Sequence, residues 1–262
     1  MEQSLYNILG ITKIQLNELL ENCYEQCQKN HRVFILDDLY DCLKAYVEKH
    51  MLQPIDEVLF VHFSRRLNDN EDDNGYSLKD VLTRDTTLSS FLETYGITFT
   101  YEHQRIRMYV NHCEIDVHLH KEYPYVYLNQ LFDETFKNYP FSGYAFMDDM
   151  QQGDAYEIAS GGPAFFGYLY PFIEDDDALI DEFINKSSFY QFTYVVPMKD
   201  VYFDDYEDLS EIDKQYHMIV KTLQRIYFYR YDNQFNEGDN TVLKMNEQTI
   251  LSEKYLVQKI RV

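Results

Sequence analysis

Glu57–Arg65 reads EVLFVHFSR, and at this stretch the spacing of the apolar residues changes. Upstream the spacing is that of a helix. Ile11, Ile14, Leu19, Leu20, Cys23 and Cys27 recur every three to four positions behind a cap at Thr12, and Leu36, Leu39, Tyr40, Leu43, Tyr46, Val47 and Met51 do the same. Asp37 and Asp38 fall in the first turn of the second run, where their charge suits the helix dipole, and Pro54 closes the region. Residues 1–53 are therefore expected to form a helical N-terminal preface, and 54–262 the main domain. EVLFVHFSR itself predicts a strand entering a core.

Past that strand, Asn68–Gly75 is an acidic, Asn-rich loop. Ser77–Asp80 has the form of a capping box opening a short helix, and Thr87–Tyr95 predicts another, stopped by Gly96. Ile97–Val117 predicts two or three antiparallel strands, and Phe141–Met147 (FSGYAFM) one more. Glu174–Asp177 is an acidic turn, and Phe189–Phe203 alternates like a buried strand pair. Asp213–Tyr229 has an amphipathic helical pattern, and Thr241–Lys244 and Tyr255–Val262 predict closing strands. Helices and strands intermix without regular βαβ alternation, so the expected class is α+β. Gly161–Gly162 lacks both the Lys and Ser/Thr of a phosphate loop and the spacing of a dinucleotide fingerprint.

The charge balance narrows the choice of partners. Lys and Arg number 23 against 45 Asp and Glu, a net charge of −22. Nucleic-acid backbones are bound through Lys and Arg that displace counterions, so a direct DNA or RNA contact is not expected; the nearest thing to a basic patch is the pair Arg65–Arg66. The acid runs Asp69–Asp73, Glu174–Asp177 with Asp181 and Glu182, and Asp204–Asp208 read as solvated loops. Laid out with phosphate-like spacing, the same acids would instead imitate a nucleic acid and attract a basic protein. The first fifteen residues lack the basic and apolar regions of a signal peptide, and no stretch has the length of a membrane span. The expectation is a soluble, cytoplasmic protein with reduced thiols. Cys23 and Cys27 stack one helical turn apart and read as core packing, because no second Cys/His pair has a matching spacing for a metal.

Two segments carry residues suited to chemistry. In NHCEIDVHLH, a strand would put His112, Glu114, Asp116, His118 and His120 on one face. That face is compatible with a divalent metal, but every half-exposed strand alternates in this way, and no metal site is assigned. The second segment is His62-Phe63-Ser64 in the first core strand. It is followed by Gly143-Tyr144-Ala145-Phe146-Met147-Asp148, by Tyr156 eight residues on, and by Lys254-Tyr255-Leu256-Val257 in a closing hairpin.

In that order these motifs resemble the catalytic domain of ADP-ribosyltransferases of the poly(ADP-ribose) polymerase and diphtheria-toxin type. The resemblance covers about residues 57–262 and implies a split antiparallel or mixed sheet as the core. It also implies NAD as the cofactor. His62 would bind the ribose beside nicotinamide, and Ser64 with the neighbouring backbone at Phe63 would hold the carboxamide. Tyr156 would be one of two tyrosines clamping the ring, with Ala145 at the other position and Tyr144 adjacent. The loop at Gly143 would complete the pocket. The acid that steadies the oxocarbenium-like transition state falls in the family near Thr241–Val242, where neither residue is acidic; Glu237 and Glu247 flank it. The expected function is an ADP-ribosyltransferase-like effector of bacterial or phage conflict, acting on a protein or small molecule. The alternative is a non-catalytic acidic inhibitor that binds a partner with a basic surface.

Overall fold

The structure is a computed structural model that describes residues 2–30, 36–117, 122–132, 140–147, 154–173, 176–204, 209–231, 240–246 and 249–262. In chain order it opens with helices α1 (Glu2–Leu9), α2 (Lys13–Asn30) and α3 (Leu36–His50), then strand β1 (Glu57–Arg66). Short helices α4 (Leu78–Thr83) and α5 (Thr87–Glu93) precede strands β2 (Ile97–Glu102), β3 (Arg105–Val110) and β4 (Cys113–Ile115). Helix α6 (Tyr125–Phe132), strand β5 (Ser142–Tyr144), helices α7 (Asp154–Ser160) and α8 (Asp176–Lys186), and strand β6 (Ser188–Pro197) follow. Strand β7 (Val201–Phe203), helix α9 (Glu211–Tyr231) and strands β8 (Val242–Met245) and β9 (Leu256–Arg261) complete the described set. The class is α+β, as the intermixed sequence pattern requires. Among the described residues, no helix is long and apolar enough to cross a membrane.

The chain forms two compact units, Met1–Val58 with Pro197–Thr241, and Leu59–Val196 with Val242–Val262. The N-terminal helices of residues 1–53 thus share their unit with a later segment. In this first unit, α1, α2, α3 and α9 bury one apolar core that includes Leu5, Leu16, Leu20, Leu43, Leu223 and Tyr227. Thr12 caps α2 as its position predicts. Its Oγ1 accepts from the Gln15 N–H at 3.3 Å, and Gln15 Oε1 accepts from the Thr12 N–H at 2.9 Å, so two otherwise unpaired donors are satisfied reciprocally. Helix α9 departs from a simple amphipathic pattern, because Lys214, His217, Thr222, Gln224 and Arg225 are buried along with Ile219 and Leu223. His217 Nδ1 lies 2.7 Å from the Tyr40 hydroxyl, and its ring lies 4.5 Å from the Phe203 ring. Burial, helped by the charges of Lys221 and Lys44, pushes its pKa down to about 4.

In the second unit, five strands lie in the order β8-β5-β1-β6-β9, and β2-β3-β4 form a separate antiparallel meander. The meander turns on His103–Gln104 (φ 51° and 63°) and on Asn111–His112 (φ 49° and 66°). Two left-handed residues between paired strands suit the right-handed twist of a hairpin. Three sequence expectations are corrected here. β8 and β9 are not a closing hairpin; β8 pairs with β5 and β9 with β6, and three strands lie between them. β6 and β7 are not a strand pair; a 3-10 turn at Met198–Asp200 follows β6, which lies between β1 and β9. His112 sits in a turn rather than on the metal-compatible face, and β4 ends at Ile115.

The N-cap and stop signals behave as read, although Ser77 and Asp80 form only half of a capping box, because the Asp80 carboxylate accepts from the Ser77 hydroxyl. Ser77 Oγ accepts from the Asp80 N–H at 3.1 Å at the start of α4, and Gly96 takes φ +74° after α5. The acidic loop 68–75 is tied down rather than merely solvated. Asp69 accepts from the Tyr190 hydroxyl at 2.8 Å, Asp73 pairs with Lys259 at 2.7 Å, and Gly75 bridges Leu251. Asp181 and Glu182 lie on α8 rather than in a loop, while 174–175 and 205–208 fall outside the described residues.

Candidate functional site

β1 presents two faces with different chemistry. Phe60, His62, Ser64 and Arg66 alternate onto one, and Val61, Phe63 and Arg65 onto the other. The first face is ringed by aromatics. Phe60 stacks on Phe141 at 5.4 Å and meets Tyr194 edge-on at 6.5 Å, and the Arg66 guanidinium lies over Phe192 at 4.8 Å. On the second face, Phe63 meets Tyr156 at 5.3 Å and Phe189 at 5.9 Å.

The site begins where a ladder stops. β5 pairs with β8 over three positions, Ser142↔Lys244, Gly143↔Leu243 and Tyr144↔Val242, but with β1 only at Val61↔Tyr144. β1 runs on from there to Arg66. In place of the next ladder bond, the His62 side chain turns to the β5 backbone, with Nδ1 2.9 Å from the Ser142 carbonyl oxygen. A carbonyl only accepts, so Nδ1 carries the proton. Burial pushes the His62 pKa down to about 4; the Arg66 charge acts in the same sense, and the Ser142 carbonyl opposes both. The ring is therefore neutral at pH 7, and Nε2 is left with a bare lone pair.

Gly143 permits this close approach. A Cβ there would stand 2.4 Å from Phe60 Cε1 and 2.7 Å from the Val61 carbonyl oxygen. The carbonyl belongs to the strand and cannot swing aside. Gly143→Ala is expected to destabilise the protein by about 2–3 kcal/mol, read as a lower urea midpoint. A midpoint unchanged from wild type would mean that the β1–β5 spacing is looser than described.

His62 lines a cleft of about 930 Å³, large enough for a nucleotide-sized ligand. Its walls are β1 from His62 to Leu67, the loop at Glu71–Asp72, residues 84–88 at the start of α5, Pro140–Ser142, and the segment around Gly162–Phe165. A second cavity of about 410 Å³ lies at Gly161–Gly162–Pro163.

Three arginines face the larger cleft and differ in their commitments. Arg65 is spent on backbone carbonyls, with Nε 2.5 Å from Ser160 O and Nη1 3.2 Å from both Ile184 O and Ser187 O. Arg84 pairs with Asp80 at 3.0 Å. Arg66 has a single long contact, Nη1 to Ser64 Oγ at 3.4 Å, and its buried Nε has no hydrogen-bond partner. Among the described residues it forms no ion pair, although acids outnumber bases 45 to 23 in the sequence. Of the cleft's acids, Glu71 accepts from Thr87 and the Asn68 N–H, and Asp72 accepts from Tyr76. Asp85 lines the cleft without a hydrogen bond or ion pair among the described residues.

The residues singled out from the sequence are only partly brought together. His62, Phe63, Ser64 and Tyr144 all line the cleft, and Gly143 lies beside it in β5. Tyr156 does not line it; its ring packs on Phe63 and Phe189, on the β1 face opposite His62. Tyr144 packs against that same cluster. Glu237 and Glu247 lie outside the described residues, as do His118 and His120. Among the described residues, no group of three or more His, Cys, Asp or Glu side chains is placed to hold a metal ion. Arg66 was missed as a site residue, although period-two spacing from His62 and Ser64 puts it on their face. No protein-family model, curated protein or solved structure matches the chain.

Proposed function

We propose that this cleft binds NAD and that the chain is an ADP-ribosyltransferase-like protein acting on a protein or a small molecule. The observation that carries the reading is His62 on the wall of the cleft, with Nδ1 engaged by the Ser142 carbonyl and Nε2 left as the acceptor. The donor set suits the ligand. His62 Nε2 would accept a ribose hydroxyl, Ser64 and the β1 backbone at Phe63 would hold the carboxamide, and Arg66 would supply positive charge for the pyrophosphate. Bound NAD would supply the ADP-ribosyl group. The position of Tyr156 behind β1 removes one half of the ring clamp that the resemblance implies, and Tyr144 packs into the same cluster, so Phe141, whose ring lies 4.3 Å from that of His62, is the ring available to nicotinamide.

The test is calorimetric NAD binding together with nicotinamide release, for the wild type and for His62→Ala. Loss of the one hydrogen bond is expected to weaken NAD binding about tenfold or more. Binding should be level from pH 8 to pH 6 and fall towards pH 4, because protonation of Nε2 removes the acceptor. Binding without release would leave a nucleotide-binding protein rather than a transferase. No binding at millimolar NAD would overturn the reading and leave the acidic protein-binding alternative.

A further inference from the structure

The first unit holds a second reactive arrangement, unrelated to the cleft. Cys23 on α2 and Cys42 on α3 bring their Sγ atoms to 2.6 Å. A disulfide has its sulfurs about 2.05 Å apart, so little movement separates the two thiols from a bond. Their surroundings differ. Cys23 is fully buried in the helical core, whereas Cys42 is partly exposed and lies 3.4 Å from Gln26 Oε1. We infer that Cys23 and Cys42 are a modification site, closing to a reversible disulfide that ties α2 to α3 when the protein meets a peroxide.

The order of events follows from exposure. Cys42 is the thiol that solvent reaches, and a thiolate is the attacking species. The contact with the Cys23 sulfur, partly opposed by burial, lowers the Cys42 pKa to about 7 and so favours its thiolate. The Cys42 sulfur attacks one peroxide oxygen. The O–O bond breaks, hydroxide leaves and takes up a proton, and Cys42 becomes a sulfenic acid. Cys23 sulfur then attacks Cys42 sulfur; the S–S bond forms, the S–O bond breaks, and the second water leaves with the Cys23 proton. Two thiols are oxidised, and one hydrogen peroxide is reduced to two waters.

The test uses the Cys27→Ser, Cys113→Ser double variant, which keeps only Cys23 and Cys42 of the four cysteines. Treated with equimolar hydrogen peroxide, it should go from two free thiols to none, lose the mass of two hydrogens and stay monomeric on a non-reducing gel. Dithiothreitol should restore both thiols. The oxidised form should melt about 5–10 °C higher, because the cross-link restricts the unfolded chain. If the double variant does not fold, Cys27→Ser alone serves: of its three thiols one should survive, and trypsin would leave peptide 14–29 joined to peptide 33–44. Adding Cys42→Ser should abolish that joined peptide. Two surviving thiols, oxidation that stops at a sulfinic acid, or a cross-link between two chains would each overturn the inference.

Discussion

Arg65→Ala is expected to destabilise the protein by about 3–5 kcal/mol, a large share of the stability of an ordinary domain. The side chain reaches from β1 to the ends of two helices. It donates to Ser160 O, at the end of α7, and to Ile184 O and Ser187 O, at the end of α8, while its guanidinium lies 5.7 Å from the Phe189 ring centre. A helix end exposes unpaired carbonyls and carries partial negative charge, so one cation satisfies both ends together. Burial holds the Arg65 pKa below its ordinary value, which marks the desolvation that these carbonyls offset. Alanine removes a donor from three carbonyls, of which Ile184 O keeps the Ser187 N–H, and opens a gap beside Phe189. Arg65→Lys keeps the charge but not the planar fork, and should recover less than half of the loss. Urea unfolding of the three proteins measures this; a loss below about 1 kcal/mol for alanine would show that water replaces the guanidinium readily.

Acidification should weaken the protein by a comparable amount before its carboxylates titrate. His62 and His217 each have a folded pKa of about 4, against an ordinary 6.5. Between those values the unfolded chain binds protons that the folded chain refuses, so stability rises with pH across this window. The contribution is complete above pH 6.5 and is lost as the pH falls to 4, about 3 kcal/mol for each histidine. Urea midpoints measured from pH 7 to pH 4.5 should fall steadily, and His217→Gln should flatten part of the slope. The two histidines belong to different units, so His62→Gln should remove the remaining part independently. An imidazole titration near 6.5 for either residue in the folded protein would refute its assigned share.

Local signals were legible in the sequence; partnerships were not. Thr12, Ser77 and Gly96 acted as written because a cap or a left-handed stop involves only neighbours. β1 was legible because Val58, Phe60, Val61 and Phe63 are too apolar for an exposed segment. Alternation, however, reports which face a side chain takes and not which strand lies alongside. That is why β6 was joined to β7, and β8 to β9. The turns at His103–Gln104 and Asn111–His112 contain no glycine, and His112 was consequently counted as a strand residue. The same gap separates His62 from Tyr156. Their order along the chain fits the transferase pattern, but only the fold puts a strand between them. Arg66 was visible as a charge, yet its lack of an ion pair among the described residues depends on where the surrounding acids find their own partners.

The order β8-β5-β1-β6-β9 places no two sequence-adjacent strands side by side except through long excursions of the chain. The His62 contact with Ser142 alone closes a span of 80 residues. Such a sheet has high contact order and is expected to gather after the β2-β3-β4 meander, whose turns are two residues long and cost less chain entropy to close. The cleft draws its walls from five separate segments of the chain and so exists only once that slow gathering is complete. Any ligand that fills it would bind the finished fold alone, and would act as a reporter and a thermodynamic latch on the last step of assembly.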